Sequence, residues 1–184
     1  MSMLPTGWIS ATIPEVADVL DSLRVPLNAN ERAAKVHGKI SSELVPYFGA
    51  TGQVGYTDSY LFNEDLVLLG EDGVPFFDLF KKKAYRISGK SWVNNHAHVL
   101  RAISGVMDWR LLEAQLNGLN YVGHVSGSTR LKLTQAAMNK LPILVPPQKE
   151  QRRIADKLDT ILTRVDALND RLARITPLLK RFRQ

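Results

Sequence analysis

Three groups of side chains in this 184-residue chain have residue types and spacings suited to chemistry. His96-Ala97-His98 would put two imidazoles on one face of a strand, as metal ligands often are. No third ligand accompanies them, since His37 and His124 lie in unrelated contexts. Beside Lys90, Asn94 and Asn95 the pair serves equally well as hydrogen-bonding groups on an exposed surface. Ser88-Gly89-Lys90-Ser91 has the tail of a phosphate-binding loop, but Ala84 stands where that loop needs its first glycine. Trp92-Val93-Asn94-Asn95 then reads as strand, not as the helix whose N-terminus would hold phosphate, so this motif is rejected. Third, Glu64, Asp65, Glu71, Asp72 and Asp78 lie near Lys81. A metal-dependent nuclease would need two carboxylates and a lysine around one metal-bound water, here Glu71, Asp72 or Asp78 with Lys81. These acids surround Gly70 and Gly73, where Asp and Glu commonly occupy turns, and the turn reading is preferred. There is no Ser-His-Asp arrangement and no Gly-Xaa-Ser-Xaa-Gly elbow. The absence of cysteine excludes disulfides, thiolate zinc sites and cysteine nucleophiles.

What remains is chemistry of recognition. Gly49-Ala50-Thr51-Gly52-Gln53-Val54-Gly55-Tyr56 is a tight glycine-rich turn, possible simply as a hairpin. It also exposes Thr51, Gln53 and Tyr56, which can reach base edges or phosphates. Gly127-Ser128-Thr129-Arg130-Leu131-Lys132 sets hydroxyls and two cations beside another glycine. The candidate DNA contacts are Thr51, Gln53, Tyr56, Lys90, Asn94, Asn95, His96, His98, Ser126, Ser128, Thr129, Arg130 and Lys132. Asn, Gln, His and Arg would read bases, while Lys and the hydroxyls would mostly hold phosphates. Trp8, Trp92 and Trp109 are expected in the core.

The elements that must hold these groups can be read in outline. Ile13–Leu23 is a candidate amphipathic helix. Leu61–Leu69 reads as a buried strand ending at Gly70, and Lys83–Ile87 and Trp92–Arg101 as strands either side of Gly89-Lys90. Asp108–Leu119 and Leu133–Lys140 are short helices, the second opened by Thr134. Leu141-Pro142-Ile143-Leu144-Val145-Pro146-Pro147 is an extended segment that closes a globular domain over residues 1–147. The pattern predicts an α/β (α+β) domain with a mixed, largely antiparallel sheet, followed by a long C-terminal coiled-coil helix over 148–184.

Net charge is +6 and is unevenly placed. Residues 1–147 carry 14 Lys/Arg against 13 Asp/Glu, and residues 148–184 carry 10 against 5. Within the near-neutral domain, Lys81, Lys82, Lys83, Arg86, Lys90 and Arg101 fall in a stretch without acids, either a phosphate-tracking patch or a solvated basic loop. No apolar run is long enough to span a bilayer, and Met1-Ser2-Met3-Leu4-Pro5 lacks the features of a signal peptide, so a cytoplasmic protein is expected.

In the C-terminal part, Ile154, Leu158, Ile161, Val165, Leu168, Leu172, Ile175, Leu179 and Phe182 follow an unbroken 4-3-4-3 spacing. A period of 3.5 residues predicts a coiled-coil seam, and one such helix needs a second from elsewhere. Gln148–Ile175 contains neither Gly nor Pro, and Pro147 suits a first helical turn. Thr176-Pro177 should kink the helix more readily than end it, because the apolar period continues in phase. No seam Asn fixes a parallel register.

Together these segments resemble the specificity subunits of type I restriction–modification systems. The stretch Leu144-Val145-Pro146-Pro147-Gln148-Lys149-Glu150-Gln151-Arg152-Arg153-Ile154 is similar to that family's lead-in to its conserved long helix. Leu4-Pro5-Thr6-Gly7-Trp8 is similar to the start of its target-recognition domain. Tyr47–Gly52, Leu69–Gly73, Asn95–Leu100 and Gly127–Thr129 are similar to segments of one subclass of those domains. A full subunit has two recognition domains and two conserved helices, paired antiparallel; here there is one of each. The resemblance therefore implies a half-length subunit, natural or shortened, whose copies pair through residues 154–182 as a homodimer. It implies a non-catalytic, DNA-binding protein that directs methyltransferase and restriction subunits to a bipartite site. S-adenosylmethionine, magnesium and ATP would reside only on those partner subunits. The seam from Ile154 to Ile175 spans roughly 33 Å at helical rise, close to one turn of duplex DNA. A metal-dependent nuclease and a helical assembly protein without DNA affinity are the alternatives.

Overall fold

The computed structural model describes the backbone of residues 4–181 and the side chains of residues 4–175. In chain order the elements are β1 (Ile9–Thr12), α1 (Ile13–Val16), β2 (Ala17–Val19), α2 (Ala29–Val36), β3 (Val45–Gly49), β4 (Gly52–Thr57), β5 (Phe62–Asn63), β6 (Leu66–Gly70), β7 (Ala84–Ile87), β8 (Lys90–Val93), β9 (Ala97–Ala102), α3 (Trp109–Gly118), α4 (Gln135–Met138), β10 (Pro142–Val145) and α5 (Gln148–Arg181).

The run Leu66-Val67-Leu68-Leu69-Gly70 is wholly buried because β6 lies in the middle of the sheet β2-β9-β6-β7, with an apolar core on each face. Strand alternation sorts its side chains between them. Val67 and Leu69 face the larger core, with Leu100 of β9, Leu111, Leu112 and Leu116 of α3, and Ile143 and Val145 of β10. Leu66 and Leu68 face the smaller core, with Ile87, Val93, Val99 and Phe62. The far wall of that smaller core is the sheet β4-β3-β8-β5. Every strand pair is antiparallel except β3 and β8, which run parallel with Tyr47 opposite Trp92. The mixed, largely antiparallel α/β domain with a long C-terminal helix is thus the observed fold.

Several element readings change in detail. Residues 13–23 do not form one helix. One helical turn, entered through hydrogen bonds from the Thr12 N–H and hydroxyl to the Glu15 carboxylate (both 2.7 Å), gives way to β2 and a single 3₁₀ turn. The β-branched Val19 suits the pairing of β2 with β9, opposite Leu100, and tertiary pairing outweighs the helical spacing. Residues 61–69 divide into β5 and β6, and residues 92–101 into β8 and β9 around a turn at Asn94–His96. Helices α3 and α4 open where expected: the Asp108 carboxylate accepts from Arg110 N and the Thr134 hydroxyl from Ala137 N.

The root of α5 is built into the globular body. β1 and β10 pair antiparallel, bringing the start of the domain beside its end. Trp8 donates its indole N–H to Glu150 at 3.0 Å, and Gly7, at φ +82°, passes under the Pro147 ring. The buried Gln151 accepts from Asp108 N and donates to the carbonyls of Val106 and Pro146 (2.8–2.9 Å). Ile154 and Leu158 pack on the larger core, so the first two seam positions are already covered by the chain's own domain. From Ile161 to Ile175 the seam is exposed. The helix runs through Thr176-Pro177 to Arg181. Phe182 and the side chain of Leu179 lie outside the described residues.

Candidate nucleic-acid interface

Four segments meet at one end of the domain. The β3–β4 hairpin turns at Ala50-Thr51, and the Ala50 carbonyl lies so close to Gly70 that a side chain there would collide with it and with Val74. The turn after β8 joins the hairpin through Asn94 N donating to Phe48 O at 3.1 Å. The 71–73 loop joins the same turn through Glu71 N to His96 O at 2.8 Å. It joins the loop at 126–132 through Gly73 N to Leu131 O (3.1 Å) and Leu133 N to Glu71 O (2.7 Å). That last loop closes on itself, Ser126 and Lys132 exchanging both backbone hydrogen bonds. Its return requires glycine: Gly127 sits at φ +94°, and a β-carbon there would collide with the Arg130 carbonyl.

Thr51, Asn95, His96, Ser126, Ser128, Thr129, Arg130 and Lys132 are carried on these joined segments. All are exposed except His96, which is half-buried. The acids beneath them hold the cations in place. Arg130 donates to Asp72 at 2.8 Å, His96 Nδ1 lies 3.0 Å from the same carboxylate, and Lys132 pairs with Glu71 at 3.2 Å. Desolvation acts to raise the Asp72 carboxyl. The hydrogen bonds and charges of Arg130 and His96 outweigh it and hold the group below the ordinary carboxylate range. Arg130 remains 64% exposed at its side chain, oriented by Asp72 while most of its donors face outward.

The other candidates divide. Gln53 and Tyr56 are exposed on edge strand β4, opposite Phe48 and Pro46 of β3. The opposite face of this sheet is covered by α2, with Arg32 over the Tyr47 ring and Lys35 over Trp92. Lys90 opens β8 away from the hairpin tip, its ammonium 5.1 Å from the centre of the Tyr60 ring. Asn94 is largely buried; its side-chain oxygen accepts from His96 N and shapes the turn.

His98 requires correction as a DNA contact, because its ring is fully buried. Both faces of β9 are covered over residues 97–100, and alternation sets His98 on the side of Leu100 and the larger core, where Nε2 donates to Leu133 O at 2.9 Å and Nδ1 meets Asp21 Oδ2 at 2.6 Å. Asp21 also accepts from Val99 N, and Arg24 links Asp21 to Glu71 and to Ala97 O. His96 and His98 therefore do not share a metal-binding face. Arg24 and Tyr60 were not foreseen as supports, because no local pattern marks a residue whose partners lie far along the chain.

The basic stretch does not form one phosphate-tracking patch. Lys83 is buried, and its ammonium donates to Asp78 O at 2.6 Å; burial lowers its pKa against the opposing charge of Asp78. Arg86 pairs with Glu113 at 2.7 Å and Asp159 at 2.9 Å, and Arg101 pairs with Asp18 and Glu64. The fold supplies from distant segments the acids that the stretch itself lacks. The proposed nuclease set does not converge either. Glu71 and Asp72 face cations of their own chain, Asp78 caps a turn at Phe80 N, and the described residues hold no group of three or more His, Asp or Glu suited to a metal. None of the described helices is long and apolar enough to cross a membrane.

Comparison with known proteins adds to this geometry. Residues 5–176 match the family model described as "Type I restriction modification DNA specificity domain". The chain is 31% identical over 149 residues to a putative type I restriction enzyme specificity subunit of Haemophilus influenzae, covering 81% of this chain and 36% of that one. It is 29% identical over 184 residues to the EcoDI specificity subunit of Escherichia coli, covering 98% and 37%. With the StySPI specificity subunit of Salmonella potsdam it shares 41% identity over 202 residues, covering 98% and 42%. The chain thus spans roughly two fifths of the length of these relatives. Its fold is similar to a structure described under complex assembly of the type I R-M system (TM-score 0.67, 21% identity, 98% of this chain and 45% of that one). It is also similar to the S subunit from M. genitalium (TM-score 0.64, 14% identity, 92% and 43%). The chain belongs to the type I restriction–modification DNA specificity domain family.

Proposed function

We propose that this chain reads one half of a bipartite DNA site for a type I restriction–modification enzyme. The observation that carries this reading is the joined loop end, where Arg130, Lys132 and His96 are held by Asp72 and Glu71 beside the hairpin tip. A guanidinium oriented by a carboxylate suits bidentate recognition of guanine, while hydroxyls on a glycine turn suit phosphate. Thr51, Gln53, Asn95, Ser126, Ser128 and Thr129 extend the contact surface around Arg130. Tyr56 and Lys90, on the flank, would meet the sugar–phosphate backbone.

In this reading the chain catalyses nothing itself. It docks methyltransferase subunits that hold S-adenosylmethionine, and through the assembled enzyme a restriction subunit that uses magnesium and ATP. Two copies pair through the exposed part of α5, from Ile161 to Ile175, and set two recognition domains on one face of the duplex. The protein acts in the cytoplasm.

The test is selection of bound sequences from a random duplex pool by the full chain, followed by affinity measurements over a salt series. The expected result is an enriched inverted pair of half-sites, with affinity falling linearly in log–log form with salt. Equal affinity for all sequences would overturn sequence reading, and no binding at any salt would leave a helical assembly protein.

A further inference from the structure

Arg24 follows the 3₁₀ turn Asp21–Leu23 and reaches under the joined loops, its side chain 13% exposed against 51% for that of Lys132. Every nitrogen of the guanidinium has an acceptor. Nε donates to Asp21 O at 3.0 Å, and Nη2 faces the Asp21 carboxylate at 3.3 Å. Nη1 donates to Glu71 Oε2 and to Ala97 O, both at 2.8 Å, and lies 3.4 Å from Asn95 O. The planar fork thus ties residues 21–24 to the 71–73 loop and to the turn before β9. It stands in the middle of a line of contacts from the central sheet to the outer face. On the inner side, Asp21 is fixed to β9 by Val99 N at 2.8 Å and His98 Nδ1 at 2.6 Å. On the outer side, Glu71 uses its carboxylate oxygens separately: Oε2 accepts from Arg24, and Oε1 pairs with Lys132 at 3.2 Å. The Glu71 backbone bonds to His96 O and Leu133 N, and the next residue, Asp72, holds Arg130.

We propose that Arg24 is a positioning residue for sequence reading, holding Glu71 so that Lys132 and Arg130 present their donors to DNA in one fixed geometry. The proposal rests on the DNA-reading surface put forward above and adds to it a residue that never touches the duplex. Charge is the first argument. A carboxylate on a DNA-facing loop repels phosphate and competes for the cations meant to meet it. With Oε2 taken by Arg24, Glu71 offers Lys132 a single oxygen, and the ammonium keeps donors for the outer side. Released from Arg24, the carboxylate would turn both oxygens to Lys132 and draw it inward. Geometry is the second argument. Arg130 and Lys132 lie on a loop that closes on itself through Ser126 and Lys132, so it takes its place from the 71–73 loop. Arg24 in turn fastens that loop to β9. A lysine at this position would keep the charge but lose the rigid fork that joins Asp21, Glu71 and Ala97 O.

The test uses the full chain, a duplex enriched from the random pool and an unrelated duplex, with affinities taken per folded molecule below the thermal transition. In Arg24→Lys, affinity for the enriched duplex should fall about tenfold or more, while affinity for the unrelated duplex changes by less than about twofold. The salt dependence on the unrelated duplex should match that of the unaltered chain, because no phosphate contact is removed. Glu71→Gln enters the same line of contacts from its outer end and should lower the ratio of the two affinities as well. Combining the two substitutions should lower that ratio no further than the more damaging of them alone, since they act through one another. Equal losses on both duplexes would make Arg24 a support of fold or charge only and overturn the proposal, as would losses that multiply in the double variant. If Arg24→Lys does not fold, the affinity ratio of Glu71→Gln decides. If the unaltered chain prefers no duplex, the DNA-reading surface itself fails. If the unaltered chain discriminates and both variants discriminate equally well, the positioning role fails alone.

Discussion

Arg130 and Asp72 lie 58 positions apart in sequence, yet Arg130 Nη2 donates to the Asp72 carboxylate at 2.8 Å. The pair joins two loops and leaves the guanidinium facing solvent on the surface assigned to DNA. Arg130→Ala should weaken binding. If Arg130 reads guanine, the loss should be about 1–3 kcal/mol at one base position, and if it holds phosphate the loss should be uniform across sequences. Titration against a set of single-base variants separates the two, and unchanged affinity for every duplex would remove Arg130 from the surface.

Asp72 should also give this end of the domain an acid sensitivity. Its folded-state pKa is held below the unfolded value, so the stabilisation it provides is complete above the unfolded value of about 3.9. That stabilisation disappears as pH falls through the folded value. Amide exchange in residues 126–132 should therefore rise on acidification below pH 4 before the β6–β9 core opens. Asp72→Asn should show the same loosening at neutral pH. Equal protection in both proteins would contradict the role given to this carboxylate.

The seam of α5 is tested at its centre. Leu168 is 56% exposed and touches no part of the core, so Leu168→Asp should yield monomers without unfolding residues 4–147. Sedimentation mass and the thermal transition of the globular domain provide the two readouts. A variant that still sediments as a dimer would show that the pairing surface lies elsewhere.

Gln151 makes three hydrogen bonds that join α5 to the loop before α3 and to the segment after β10. Gln151→Ala strands one N–H and two carbonyls in a buried setting. It should cost about 2–4 kcal/mol in urea unfolding, on the scale of 1–3 kcal/mol for each unsatisfied buried group after partial relaxation. A loss below 0.5 kcal/mol, on the order expected for surface substitutions, would show that water replaces the side chain freely.

His98→Ala should lower stability by about 2–4 kcal/mol, because it leaves the buried Leu133 carbonyl unpaired and removes one partner of Asp21, which keeps Val99 N and Arg24. DNA affinity per folded molecule should be unchanged at low temperature. A selective loss of affinity with normal stability would restore His98 to the binding surface.

Much of the architecture was legible because its signals are local. Prolines 146 and 147 and the uninterrupted run to Ile175 mark the start and continuity of α5, and Asp108 and Thr134 mark the starts of α3 and α4 by capping chemistry. Residues 13–23 misled because Ile13, Val16 and Ala17 have helical spacing, while the choice between helix and strand lay with β9, some 80 positions away. The candidate surface was legible only in part. Arg130 and the hydroxyls announced themselves on a glycine turn, but whether a histidine of β9 faces out or in depends on which strands flank it. The basic stretch from Lys81 to Arg101 looked unopposed because its acids, Asp18, Glu113 and Asp159, stand outside it in sequence.

The pairing of β1 with β10 has a consequence for how such a domain can be exchanged. The polypeptide enters at Gly7-Trp8 and leaves at Pro147–Glu150 through what is in effect one doorway, latched by Trp8 on Glu150. The loops at 50–51, 71–73, 94–96 and 126–132 are tied to one another, away from the two points where the chain crosses that doorway. A domain with different loops but the same latch and the same contacts of Gln151 and Arg86 would therefore sit on α5 at the same angle. New loops could be grafted in without altering how the domain joins α5.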